Sequence, residues 1–153
     1  MDILKRNNVS VSGSGQSVIM FAHGFGCYQN MWRFITGSFE KDYKIILFDH
    51  VGAGQSDLAA YDELKYSKLD GYAADILEII NELELNEVIF VGHSVSAIMG
   101  MIAAKIAPQF FQKLILVSPS PSYINDRDYI ADLAKMRLMN FWNLLMSITW
   151  VGP

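Results

Sequence analysis

Residues 87–101 read EVIFVGHSVSAIMGM, and the fold follows from how this stretch is laid out. Glu87 to Val91 is a short apolar run that predicts a strand buried on both faces, and so a parallel sheet. Ala97 to Ile106 is small and apolar and predicts a helix, closed off by Pro108. Between them, Gly92-His93-Ser94 reads as a sharp strand-to-helix turn. Such a turn strains the backbone of the serine and lifts its Oγ above the end of the sheet, at a helix N-terminus. There the helix dipole and unpaired N–H groups favour a developing negative charge. Small residues at Gly92 and Ser96 let strand and helix close up. The common pattern is G-x-S-x-G, and Ser96 stands in place of the second glycine as a small, tolerable departure. Ser94 is therefore the expected catalytic nucleophile.

Working outward, Ser17–Ala22 (SVIMFA), Lys44–Phe48 (KIILF) and Lys113–Val117 (KLILV) are further buried strands, and Val9–Val11 is a short first strand ahead of the turn Gly13-Ser14-Gly15. Asn30–Phe39 reads as helical. Leu69–Leu85 carries Tyr72, Ile76, Ile79, Ile80 and Leu83 at helical spacing. Strands alternating with helices predict an α/β fold with a doubly wound, mostly parallel sheet.

Two further motifs follow strands. After the first buried strand comes His23-Gly24-Phe25-Gly26. An oxyanion hole requires two N–H donors aimed at one point. One is expected from Val95, the residue after the nucleophile, and the other from this loop, at Phe25. After the second comes Asp49-His50-Val51-Gly52-Ala53-Gly54-Gln55-Ser56-Asp57. It invites a dinucleotide reading, but position 57 is Asp where G-x-G-x-x-G has its third glycine. A tight loop buttressing the rim of the site is the better account. None of the three histidines is assigned as general base. His93 abuts Ser94 and is carried away from its Oγ by the turn, and His23 reads as structural. No histidine follows Ser94, and Asp126, Asp128 and Asp132 come too soon after the last strand to be a triad acid.

The 153 residues suit one domain, and 52% hydrophobic with 18% charged residues describes a globular chain. A net charge of −4 without a basic stripe argues against nucleic acid. The lone Cys27 fits a reducing, cytoplasmic setting. No apolar run has the length of a membrane span or a secretory signal. No Cys/His cluster suggests a metal, and no cofactor is expected.

Taken together, HGFGCYQNMWR (23–33), ILFDHVGAGQSDLAAYD (46–62), YSKLDGYAADI (66–76), VGHSVSAIMGM (91–101) and LVSPSPSYIND (116–126) resemble one α/β-hydrolase subfamily. It contains the bacterial RsbQ stress-response proteins and the plant karrikin and strigolactone receptors. The resemblance implies Ser94 as nucleophile, Phe25 and Val95 as oxyanion donors, and a lid-covered pocket for a small hydrophobic ligand or ester. In the RsbQ branch, the nearer in sequence, it also implies a partner phosphatase and control of a general-stress sigma factor. Members carry a four-helix lid after the strand at Lys113–Val117, then further strands, then the triad Asp and His. The expectation is an incomplete α/β-hydrolase core over residues 1–130, inactive and unstable alone, its last strand left as an unpaired edge.

Residues 131–153 do not look like that lid. Three of the eight Met and two of the three Trp crowd into Met136–Pro153. Joining the last base of each codon to the first two of the next, Met139-Asn140 and Trp142-Asn143 force Glu, and Trp150-Val151 forces Gly. Asn140-Phe141 and Phe141-Trp142 permit Leu-Leu. The shifted frame thus carries an acidic, amphipathic pattern of the kind the lid has. A reading-frame shift near Ile130, with a non-native tail over 131–153, is the expectation; the alternative is a genuine short paralogue with its own terminal helix.

Overall fold

The computed structural model describes residues 2–120, and the architecture lies in a unit that ends at Pro119. The expected tail over 131–153, its boundary at Ile130, and Asp126, Asp128 and Asp132 all lie outside the described residues. Five strands form one sheet: β1 (Ser10–Ser12), β2 (Ser17–Ala22), β3 (Tyr43–Phe48), β4 (Val88–His93) and β5 (Phe111–Val117). Their order is β1-β3-β2-β4-β5, with β1 antiparallel to β3 and the other neighbours parallel. Register fixes where chemistry can occur. Ala22 pairs with Phe48 on one side and with Gly92 on the other. Strands β2, β3 and β4 therefore run out together, and His23, Asp49 and Ser94 follow at one edge. Loops beyond the carboxyl ends of parallel strands are where open α/β sheets hold their ligands.

Strand alternation assigns the two faces. Val18, Met20 and Ala22 point with Ile46, Phe48, Val88 and Phe90 towards helices α3 (Leu69–Glu82) and α4 (Val95–Ile106). The 3.6-residue period of α3 brings Ile76, Ile79 and Ile80 to zero exposure against this face. Burying each such side chain stabilises by about 1.5–3 kcal/mol. Gly100 on α4 faces Phe90, whose ring occupies the space a Cβ would take. Ile19, Phe21, Ile45 and Val91 turn to the opposite face and meet Trp32, Met31 and Phe39.

That second cover is not the helix expected over Asn30–Phe39. It is two single 3₁₀ turns, Gln29–Trp32 and Thr36–Ser38. Helical spacing does not decide this segment, because Phe34 is 80% exposed while Trp32 and Phe39 turn onto the ring of Phe21. At the far side of the sheet, Ile115 and Val117 of β5 are 43% and 37% exposed. Among the described residues β5 pairs with β4 alone.

The first seven residues tie several elements together. Arg6, at the end of α1 (Ile3–Arg6), is buried and bonds Asp75 of α3 at 3.0 Å and Glu78 at 2.6 Å. Lys65, in the short helix α2 (Glu63–Tyr66), reaches the same Asp75 oxygen at 2.6 Å. The Tyr66 hydroxyl donates to the other Asp75 oxygen at 3.0 Å, and burial first, then Asp75, pushes its pKa up. Asp75 has no exposure, so its charge is tolerable only because two cations and a hydroxyl face it. Replacing it removes one of the two counter-charges of buried Arg6 and the buried partner of Lys65. Asp75→Asn should destabilise the chain by about 3 kcal/mol, read as a lowered urea midpoint. A shift under about 1 kcal/mol would show that this cluster does not join α1, α2 and α3.

Candidate active site

Ser94 sits where β4 ends and α4 begins, with φ 55° and ψ −121°. A residue bearing a Cβ rarely holds such angles, and an outlier of this kind marks a site whose surroundings over-determine it. The surroundings are visible. The Ser94 N–H donates to Val117 O at 2.9 Å, anchoring the turn to β5. A Cβ on Gly92 would lie 2.6 Å from Ser96 O and 2.8 Å from Ala97 N, so strand and helix backbones touch there and only glycine fits. Val95 is the first residue of a 12-residue helix, and the leading N–H groups of a helix have no partner within it.

The loop after β2 presses onto this turn. A Cβ on Gly24 would stand 3.3 Å from Ser94 Cβ and 3.1 Å from His93 Cε1. Cys27 N–H donates to Gly24 O at 3.2 Å, closing a turn in which Phe25 and Gly26 are central. Gly26, at φ 70°, takes the left-handed position that favours glycine. The Phe25 side chain is 43% exposed. Ser94, Phe25 and Val95 thus come to one end of the sheet, from two loops.

Of the three histidines, His23 and His50 are buried and His93 is partly so. His23 is 2% exposed and uses both ring nitrogens locally. Its Nδ1 lies 2.8 Å from Gly24 O, and its Nε2 accepts the His50 N–H at 3.1 Å. A carbonyl can only accept, so Nδ1 carries the proton and the ring is neutral. The peptide unit that ends in Gly24 O is the one that carries the Phe25 N–H. Because a peptide is planar and trans, fixing that carbonyl fixes the direction of the N–H. His50 is buried, with its Nε2 2.6 Å from Ser96 Oγ. His93 stands edge-on to Trp32, ring centroids 6.5 Å apart. Among the described residues no imidazole or carboxylate hydrogen-bonds the Ser94 hydroxyl.

The glycine-containing loop after β3 has its anion built in. Asp49, fully buried, accepts from Asn8 Nδ2 at 2.8 Å, Gln29 N at 2.8 Å and Gln55 N at 2.9 Å. Gly54, at φ 57°, lets its backbone close over this carboxylate, which fills the space a Cβ would need. Within the loop, Gln55 N–H goes to Asp49, Gly52 N–H to Ser56 Oγ, Ala53 N–H to His50 O and Ser56 N–H to Ala53 O, so these amides are turned inward and the loop acts as a buttress. Asn7 joins it to the N-terminus through Asp49 N–H to Asn7 O at 2.8 Å and Asn7 Nδ2 to Asp49 O at 3.0 Å.

This strand order, with a strained serine between a parallel strand and a helix, is the layout of a hydrolase core. The chain belongs to the α/β hydrolase fold family, whose pattern matches residues 17–143. It is 40% identical over 141 residues to a karrikin insensitive 2 receptor of Petunia hybrida, covering 92% of this chain and 52% of the relative. It is 41% identical over 128 residues to a strigolactone esterase of Arabidopsis thaliana, covering 84% of this chain and 48% of the relative. A solved hydrolase of Oleispira antarctica superposes with TM-score 0.85 at 42% identity, over 94% of this chain and 53% of that one. The chain spans about half the length of these proteins. Among the described residues no helix is long and apolar enough to cross a membrane.

Burial lowers the pKa of His23, and burial, then the neighbouring His23, lowers that of His50 well below the ordinary 6.5. Unfolding frees both to take a proton near 6.5, so the unfolded chain binds more protons below that pH. Stability should be full above about pH 6.5 and fall as the pH drops beneath it, by up to about 1.4 kcal/mol per pH unit per histidine. Urea midpoints taken at about pH 7.5 and about pH 5.5 check the sign. A midpoint that is flat or rises on acidification contradicts the neutral rings.

Proposed function

We propose that Ser94 is the nucleophile of an acyl-transfer reaction on a small, hydrophobic, ester-like ligand, with the amides of Phe25 and Val95 as its oxyanion hole. The observation that carries this reading is the backbone of Ser94, φ 55° and ψ −121° at a strand–helix junction. It lifts the hydroxyl to a helix N-terminus, beside a loop whose glycine lies against the serine Cβ. In this reaction Oγ bonds to the ester carbonyl carbon and gives its proton to a base. The carbonyl electron pair moves onto oxygen and meets the two amides. Collapse expels the alcohol, which takes up the proton, and water later removes the acyl group from Ser94. The base and the carboxylate that orients it come from outside residues 2–120, since His23 spends both ring nitrogens locally, His50 is buried against Ser96, His93 stands edge-on to Trp32, and none of the three hydrogen-bonds the Ser94 hydroxyl.

The esterase and receptor names of the relatives support a small-molecule ligand. The motif stretches 23–33 and 91–101 support an RsbQ-type role in the cytoplasm, in which the protein works with a partner phosphatase in a stress response. A second reading, a non-catalytic receptor that signals through a protein partner, is favoured by the relatives named as karrikin receptors. Partner activation that survives Ser94→Ala would select it.

Residues 131–153 are, on this account, a frameshifted tail, and the 153-residue chain lacks its base. Its turnover of p-nitrophenyl butyrate should be at least about 10⁴-fold below that of complete serine esterases. p-Nitrophenyl acetate should still slowly acetylate the peptide containing Ser94, and Ser94→Ala should abolish that mark. Acetylation that is unchanged in Ser94→Ala sinks the nucleophile, and esterase-like turnover by this chain sinks the missing base.

A further inference from the structure

Ser96 does more than fit where a glycine is usual. It has no exposure, and its hydroxyl sits between two groups from two other loops. It donates to the carbonyl of His23, seventy-three residues away in sequence. The Nε2 of His50 lies 2.6 Å from the same oxygen. The hydroxyl has one proton, and a carbonyl that close must receive it. His50 Nε2 therefore carries a proton and donates to Ser96 Oγ. Its Nδ1 is then a bare lone pair, buried and without a hydrogen-bond partner among the described residues. Tyr72 and Phe48 stand edge-on to the ring at 5.6 and 5.2 Å, and His23 at 4.6 Å.

The bonds form a closed circuit. His50 Nε2–H reaches Ser96 Oγ, Ser96 O–H reaches His23 O, and the His50 backbone N–H returns to His23 Nε2. His23 Nδ1–H extends it to Gly24 O. Two successive carbonyls of the loop after β2 are thus tied to the first turn of α4 and to the end of β3. We propose that Ser96 and His50 are positioning residues: a buried clamp that sets the distance and direction of the residue 25 amide relative to the Ser94 hydroxyl. Neither touches the reacting atoms. They act through His23 and the peptide Gly24–Phe25. The proposal rests on the reading of Ser94 and the amide of Phe25 given above.

The test uses the whole 153-residue chain with Ser96→Ala, which removes the hydroxyl, and Ser96→Gly, which restores the common pattern. Amide exchange is followed at Cys27 and His50, whose N–H groups donate to Gly24 O and to the His23 ring, and at Ile79 in the core of α3. Both variants should speed exchange at Cys27 and His50 by about tenfold or more and leave Ile79 unchanged. The ¹⁵N signature of a protonated His50 Nε2, present in the parent, should be lost or redistributed between the ring nitrogens. Acetylation at Ser94 should slow by about tenfold or more, the scale of a misplaced oxyanion donor. Faster exchange with acetylation unchanged overturns the positioning role and leaves only a structural one. Equal acceleration at Ile79 overturns it as well. A parent chain acetylated elsewhere counts against the nucleophile instead, and exchange together with the ring ¹⁵N signature then decides the clamp alone.

Discussion

The structure depends on one close approach: the backbone of β4 at Gly92 lies against the backbone of α4 at Ser96 and Ala97. A methyl group at position 92 would push the two apart. Because they touch, the chain must reverse within one residue, and that residue is Ser94 with its φ of 55°. The register of the sheet does the rest. Ala22, Phe48 and Gly92 lie side by side, so whatever follows them is gathered at one edge. A strained serine at that place is held from three directions: by β5 through Val117, by the helix it starts, and by the loop at Gly24.

Around this contact the buried polar groups form two connected sets that leave the serine itself uncommitted. One is the imidazole–hydroxyl circuit of His23, His50 and Ser96. The other is Asp49, which satisfies its carboxylate with backbone and amide N–H groups from three segments. Low dielectric strengthens each hydrogen bond in such networks. Here they hold the edge of the sheet at which Ser94 stands. The cluster of Arg6, Lys65, Asp75 and Glu78 plays a different part, tying the N-terminal segment to α3.

Local pattern was enough for most of the sheet and for the turn at Ser94. SVIMFA is bounded by turn signals and lies in the structure as β2, residue for residue. The isoleucines of α3 announced their buried face by spacing alone. Long-range polar pairing was not legible. Ser96 reads as a tolerated small residue, because nothing near it in sequence reveals a histidine forty-six positions earlier. Asp75 reads as one polar residue on an amphipathic helix, yet it is wholly buried, because its partners lie on two other short helices. The misread segment 30–39 fails for a related reason: its apolar residues repeat at helical spacing, but only some find a face to bury. Gln29 N–H is held by Asp49 and its side chain by Asn8 O, so distant groups fix how the segment begins.

The central claim is geometric, and a crystal structure of the chain carrying a phosphonate on its reactive serine tests it most directly. Phosphorus is expected to be bonded to Ser94 Oγ, with the phosphonyl oxygen within hydrogen-bond reach of the amides of residues 25 and 95 together. An adduct on another residue, or a phosphonyl oxygen turned to solvent with those amides directed elsewhere, would contradict it.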